Sequence, residues 1–290
     1  MLRTLKCYFP SPFFLLVIAL AGGPLFINTA AFAQGNLLVT PMRVVFDGKK
    51  GLQELNIANT GKDTARYLVS FIEIRMNEDG TFEKISEPDS GQHFASSFIR
   101  FFPRSVVLPP NEAQVVKLQL VNTSKLDSGE YRSHIYLRAE PNVNALGEDT
   151  QASAEESEGI SIRLTPVFGI SIPVIIRYGP KTGAVSLSDL NLVTEGNAAP
   201  RLQMVFNRSG NTSVYGDITV DHVSSKGKTT RVANVRGMAV YTPTRLRHMQ
   251  VQLDAKPGIN YHSGKLVVVY GTTTDDGAVT TLAQAALVLK

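Results

Sequence analysis

Cysteine is all but missing from this chain: Cys7 stands alone among 290 residues. Beyond it no internal disulfide and no thiolate metal site can form, so stability must rest on buried core. Charge is sparse as well, at 19% of residues against 43% hydrophobic, and no block of one sign occurs. That balance fits an ordinary soluble protein and excludes a basic nucleic-acid tail. Catalytic signatures are absent too. There is no HExxH, CxxC, GxSxG or phosphate-binding loop. Gly210 and Gly216 do not open a helix, which removes a dinucleotide fingerprint. His93, His134, His222, His248 and His262 are scattered, and His134 reads as a packed or edge histidine within a strand. No amphipathic helix of useful length and no internal repeat is found.

The N-terminus carries an export pattern. Arg3 and Lys6 precede the apolar run Phe13 to Ala21, and Ala31-Phe32-Ala33 supplies a small-residue cleavage site before Gln34. Residues 1–33 are therefore expected to be a secretory signal peptide. An uncleaved anchor fits less well, because Gly22-Gly23-Pro24 interrupts the run short of a comfortable span. Once the signal is cleaved, no stable membrane insertion is expected. Without Arg3 and Lys6 the 29 basic residues fall to 27, against 25 acidic. A near-neutral protein does not suit a phosphate backbone, so no nucleic-acid partner is expected.

What fills the rest of the chain is alternation. Leu52 to Asn59, Tyr67 to Ile74 and Val115 to Leu120 place apolar residues at every second position. That period puts them on one face of a sheet. Turn signals separate the runs: Asp47-Gly48, Thr60-Gly61-Lys62, Glu78-Asp79-Gly80 and Pro109-Pro110-Asn111. Asp275-Asp276-Gly277 reads as one more hairpin turn, not a calcium site, since no further spaced carboxylates follow. A break falls at Tyr178 to Gly183, and a second strand series starts at Ala184. Two β-sandwiches in series are expected, over 36–178 and 181–290.

Two stretches stand out within this pattern. Residues 142–159 are acidic, small and polar, and bury too little to offset their ordering entropy. They read as a mobile loop, either simply solvated or ordered by a partner. Next, Ile160, Ile162, Leu164, Pro166, Phe168, Ile170 and Ile172 share one parity, a long apolar face for one strand. Pro166 has no N–H and favours a sheet edge. Two readings fit: an edge strand available to another chain, or an ordinary core strand. Arg231, Arg236, Arg245 and Arg247 form either a basic patch or a plain solvated face.

Several of these segments, in their order, resemble the first domain of the PapD-like periplasmic pilus and fimbrial assembly chaperones, of which this chain looks like a divergent member. They are Arg43 to Gly48, Leu108 to Leu118 with Asn111 where glycine is usual, Tyr131 to Pro141, the 142–159 loop and the strand after it. The resemblance covers most of 36–178, whereas 181–290 matches only in length and β-pattern. It implies an all-β fold of two immunoglobulin-like β-sandwich domains. It also implies that the last strand of the first domain, near 160–176, is lent to a pilin-like subunit lacking one. Ile162, Leu164, Pro166, Phe168 and Ile170 would form the donor face. Arg43 would hold the subunit's C-terminal carboxylate; the bland alternative is a surface arginine on a first strand. The family's second anchor is a lysine where this chain has Pro173, and Arg177 is the nearest basic residue to substitute for it.

The function so implied is non-enzymatic and needs neither cofactor nor ATP. The chaperone would stabilise pilin-like subunits in the periplasm by donor-strand complementation and deliver them to an outer-membrane usher. A self-capping homodimer would cover its apolar donor residues. The alternative is a structural or adhesive cell-surface protein built from two immunoglobulin-like domains. A hydrolase with a loop-built site is a third reading, and no residue constellation supports it.

Overall fold

The computed structural model describes residues 37–140, 167–196, 198–273 and 278–289. The expected signal peptide, the 142–159 loop, Asp275-Asp276-Gly277 and the donor-face residues Ile162, Leu164 and Pro166 lie outside them. Among the described residues the regular structure is β-strand with two short 3-10 turns. No helix there is long and apolar enough to cross a membrane.

Eleven strands build the first sandwich and its hairpin: β1 (Leu37–Thr40), β2 (Val44–Phe46), β3 (Leu52–Asn59), β4 (Ala65–Ile72), β5 (Ile74–Met76), β6 (Phe82–Lys84), β7 (Ile99–Phe102), β8 (Ser105–Leu108), β9 (Ala113–Leu120), β10 (Gly129–Glu140) and β11 (Gly169–Tyr178). One sheet has the order β1-β3-β9-β7 and the other β2-β11-β10-β4-β8, while β5 and β6 pair only with each other. The alternation seen in sequence becomes burial of one face: Leu55 and Ile57 of β3 meet Val116 and Leu118 of β9, Ile135 and Leu137 of β10, and Phe46 of β2 in one core.

The second sandwich follows: β12 (Ala184–Val193), β13 (Arg201–Ser209), β14 (Val214–Val223), β15 (Thr229–Val240), β16 (Leu246–Gln252), β17 (Lys265–Thr273) and β18 (Val279–Val288). Its sheets are β12-β13-β16 and β15-β14-β17-β18. Leu202, Phe206, Ile218, Val220, Leu266, Val268 and Tyr270 form its separate core. A third, small cluster of Met76, Ile175, Ala239 and Tyr241 joins residues of both sandwiches.

One edge matters most. β11 pairs antiparallel with β10 along its whole length, from Gly129 opposite Tyr178 to Arg138 opposite Gly169. On its other side, β2 runs parallel to it and covers only Val174 to Ile176. The strand begins at Gly169, so Val167 and Phe168 stand ahead of it, although the Phe168 carbonyl still accepts from the Ala139 N–H at 2.9 Å.

The turn after β8 rests on two asparagines. Asn59 is buried, and its Nδ2 donates to the carbonyls of Asp63 and Leu108 at 2.7 and 2.9 Å. Its own carbonyl accepts from the Asn111 N–H. Asn111 adopts φ 61°, a left-handed conformation that asparagine tolerates and β-branched residues resist. Asn111→Gly should leave stability within about 0.5 kcal/mol of the parent. Asn111→Val should lose about 1–2 kcal/mol in urea denaturation.

Candidate functional site

β10 has a polar face, and that face is not solvated. Tyr131, Ile135 and Leu137 point into the first core. Their alternates Glu130, Arg132 and His134 are also buried, each 2% exposed. The second sandwich covers them. Glu130 accepts from Arg177 Nε at 2.9 Å, from the Ser213 N–H at 3.0 Å and from the Ser213 hydroxyl. Thr242 Oγ1 reaches its other oxygen at 3.4 Å. Arg177 Nη2 completes a ring by donating to the Ser213 carbonyl at 2.8 Å. A carboxylate removed from water is stable only with such donors around it.

The β5–β6 hairpin makes a second tie. His248 N–H donates to the Glu78 carbonyl at 2.7 Å, and Thr244 Oγ1 donates to the Met76 carbonyl at 2.7 Å. Arg247 donates to the Ala239 carbonyl and lies against Gly80, where an added Cβ would overlap its guanidinium. Thus Arg247 belongs to the joint between sandwiches, while Arg231 pairs on the surface with Asp221 at 2.6 Å. They do not form one basic patch.

Between these ties lies an aromatic and cationic cluster. Arg43 Cζ sits 4.6 Å from the Tyr215 ring centroid and 5.8 Å from that of Tyr241. Arg132 Cζ sits 4.4 Å from the Tyr241 centroid. His134 meets the rings of Tyr241 and Phe82 edge-on at 6.2 and 5.9 Å. The electron-rich faces of the tyrosines favour cations. Several buried donors have no hydrogen-bond partner among the described residues: Arg43 Nη1, and Arg132 Nε and Nη1.

Burial governs the titration of this cluster. It lowers the pKa of Arg43 and of Arg132, and raises that of Tyr241 against the pull of both guanidiniums. Burial also raises the Glu73 carboxyl, opposed by hydrogen bonds from Ser96 and Ser133. His134 is pushed down to about 3 by burial and then by the Arg132 charge, so it is neutral.

The sequence-expected residues divide accordingly. Arg43 enters the cluster, immediately before β2. Arg177 stands near it but is engaged by Glu130 and Ser213. Pro173 lies opposite His134 in the ladder. Phe168 is 43% exposed, and Ile170 is half-buried against the first core. In β11 the parity of Ile170 is that of Ile172, Val174 and Ile176, which are core residues. The apolar face therefore runs continuously out of the protein's own interior. Arg132, Glu130, Tyr215 and Tyr241 were not singled out from sequence. On β10 the polar alternates carry the ordinary signature of a solvated face, and nothing local marks them otherwise.

No protein-family model matches the chain, and no curated protein matches it. Solved structures do resemble it. The YadV chaperone aligns with a TM-score of 0.45 at 10% identity, over 87% of this chain and 100% of its own. The Salmonella enterica SafB chaperone, in complex with the SafA pilin, gives 0.42 at 14% identity, over 89% and 99%. The E. coli chaperone DraB gives 0.39 at 14%, over 88% and 96%. Each of these structures is described as a chaperone, and this chain is similar to them at 10–14% identity.

Two predictions follow from the joint. Glu130→Ala removes the acceptor for Arg177 and Ser213 and should cost about 3–5 kcal/mol in denaturant unfolding. For His134, folded and unfolded forms are both neutral above pH 6.5. Below it the unfolded chain takes up a proton that the folded protein refuses down to about pH 3. Stability should fall as pH drops through that window, and His134→Phe should flatten part of the fall. An unchanged slope in the variant would show that His134 does not contribute.

Proposed function

We propose that this protein is a periplasmic chaperone for pilin-like subunits, which it stabilises by adding a strand of its own. The observation that carries the reading is the open edge of β11. From Gly169 to Pro173 only β10 pairs with this strand among the described residues, because β2 covers Val174 to Ile176 alone. Backbone N–H and C=O groups there are available to an incoming chain. Ile170 and the exposed Phe168 supply apolar contacts beside that edge, and the donor face in this reading also takes in Ile162, Leu164 and Pro166, of the same parity in sequence.

The same edge has a definite stop. β2 pairs Val44 with Val174, so a strand laid along Gly169 to Pro173 must end or turn away at Arg43. A strand running parallel to β11 would bring its C-terminus there, where a guanidinium can take the terminal carboxylate. In this reading Arg43 is the anchor, residues 1–33 direct export, and the sandwiches over 36–178 and 181–290 act as two domains. Delivery to an outer-membrane usher and self-capping as a homodimer belong to the same proposal. No cofactor and no catalytic step enter it.

The test is affinity capture of the tagged protein from the periplasm, with mass spectrometry of what accompanies it. Small β-rich secreted subunits should be recovered. Recovery should fall at least tenfold with Phe168→Glu and with Arg43→Ala, while far-ultraviolet circular dichroism stays unchanged. If Phe168→Glu unfolds the protein, Phe168 is core and the donor assignment fails. If no subunit is captured and the protein is abundant outside the cell, it is a structural or adhesive surface component instead.

A further inference from the structure

We propose that Arg132 is the second cation of the cleft and that, with Arg43, it binds a carboxylate. The inference rests on the reading above and names the recognition chemistry of the same site. It starts from an imbalance in the joint. The Arg177 charge acts on Arg43 and the Arg43 charge on Arg132, and the carboxylates that act on Arg132 are Glu130 and Glu73. Glu130 is saturated by Arg177, Ser213 and Thr242. Glu73 accepts from Ser133 Oγ at 2.8 Å through one oxygen, its other oxygen is buried without a partner among the described residues, and it offsets part of the Arg132 charge. His134, next along the same face, carries no charge at neutral pH. Three guanidiniums, Arg43, Arg132 and Arg177, therefore face two carboxylates, and the one positive charge left over falls to Arg43 and Arg132, since Arg177 is engaged by Glu130.

Hydrogen bonding leads to the same pair. Arg132 is 2% exposed, yet its Nε and Nη1 find no acceptor among the described residues. Its Nη2 reaches only the Thr242 carbonyl, at 3.4 Å. Arg43 Nη1 is likewise buried and unpartnered. Such donors are costly to leave unmet, and a charged acceptor recovers the most. Both guanidiniums lie within 6 Å of the Tyr241 ring centroid, so one anion beside that ring is within range of both. A weakly hydrated planar cation suits a site this dry better than an ammonium does.

Position completes the case. In the β10–β11 ladder Arg132 stands opposite Ile175, and His134 opposite Pro173. Arg132 is thus two residues beyond the end of the open edge along the ladder, on the buried face. Arg177, on β11 opposite Glu130, is excluded as the second cation because its guanidinium is already spent on Glu130 and Ser213. The site takes a single negative charge on a small planar group, which is a carboxylate, not a phosphate.

The experiment uses side-chain nuclear magnetic resonance of the purified protein, following the arginine Nε–H signals during titration with sodium acetate against matched sodium chloride. Arg43 and Arg132 should shift together and saturably, and Arg177 should not move. Arg132→Gln should weaken the acetate response of Arg43 at least tenfold, with Arg132→Lys intermediate. The proposal is overturned if acetate leaves Arg132 unmoved, or if the Gln variant leaves the Arg43 response within twofold. Tighter binding of inorganic phosphate than of acetate would overturn the carboxylate assignment. If Arg132→Gln does not fold, the parent's own Arg132 shift still decides. A short alternating apolar peptide, with free or amidated C-terminus, separates the two readings. Backbone amides of Gly169 to Ile172 report strand addition, and a preference for the free terminus, lost in Arg132→Lys, reports the anion site. Amides that ignore both peptides while acetate still moves Arg132 would remove the strand-addition reading and keep the anion site.

Discussion

A buried carboxylate holds the two halves of this protein together. Glu130 belongs to the first sandwich, and the groups that make its charge tolerable come largely from the second: the Ser213 N–H and hydroxyl, and Thr242 Oγ1. Arg177 supplies the countercharge from the neighbouring strand and ties itself to the Ser213 carbonyl. Such a pair adds little net stability over an apolar contact of the same shape. Its effect is positional. The donors must arrive from fixed directions, so the second sandwich has to sit where Ser213 and Thr242 meet the end of β10. The hairpin tie through Glu78 and His248 acts at a second point and limits rotation about the first.

With that joint in place, the polar face of β10 becomes an interior surface. Arg132 and His134 lose solvent, Tyr241 comes to lie against both, and Tyr215 closes on Arg43. The low dielectric then sets protonation. The histidine stays neutral and the guanidiniums, hard to deprotonate, stay charged. Apolar contacts from Met76, Ile175 and Ala239 keep the surroundings dry. Arg43 Nη1 and Arg132 Nε and Nη1 are left there without a hydrogen-bond partner among the described residues.

Much of the fold was readable before any coordinates. β3, β4 and β9 coincide with the alternating runs, because a strand with one buried face alternates. The turns at Asp47-Gly48, Thr60-Gly61-Lys62 and Glu78-Asp79-Gly80 fall between strands, and Gly48 and Gly80, at φ 89° and 83°, take backbone angles that other residues resist. Asn111 at the usual glycine position also keeps its geometry, with φ 61°. Arg43 was singled out only through the family resemblance, and nothing in its local pattern foretold its neighbours Tyr215 and Tyr241. The start of β11 was not: an unbroken apolar parity from Ile160 to Ile172 says nothing of where pairing begins.

What the sequence by itself determined is therefore the β-class, the strand series and which residues enter each core. These follow from local periodicity and from the steric rules of turns. Tertiary structure alone decided the site. The partners of Glu130 and Arg132 are 83 and 110 residues away, on strands whose own patterns look ordinary. Alternation reports that one face of a strand is apolar; it cannot report that the polar face is covered as well. That second burial is what turns Glu130, Arg132 and His134 from surface residues into a joint and a buried charged cluster.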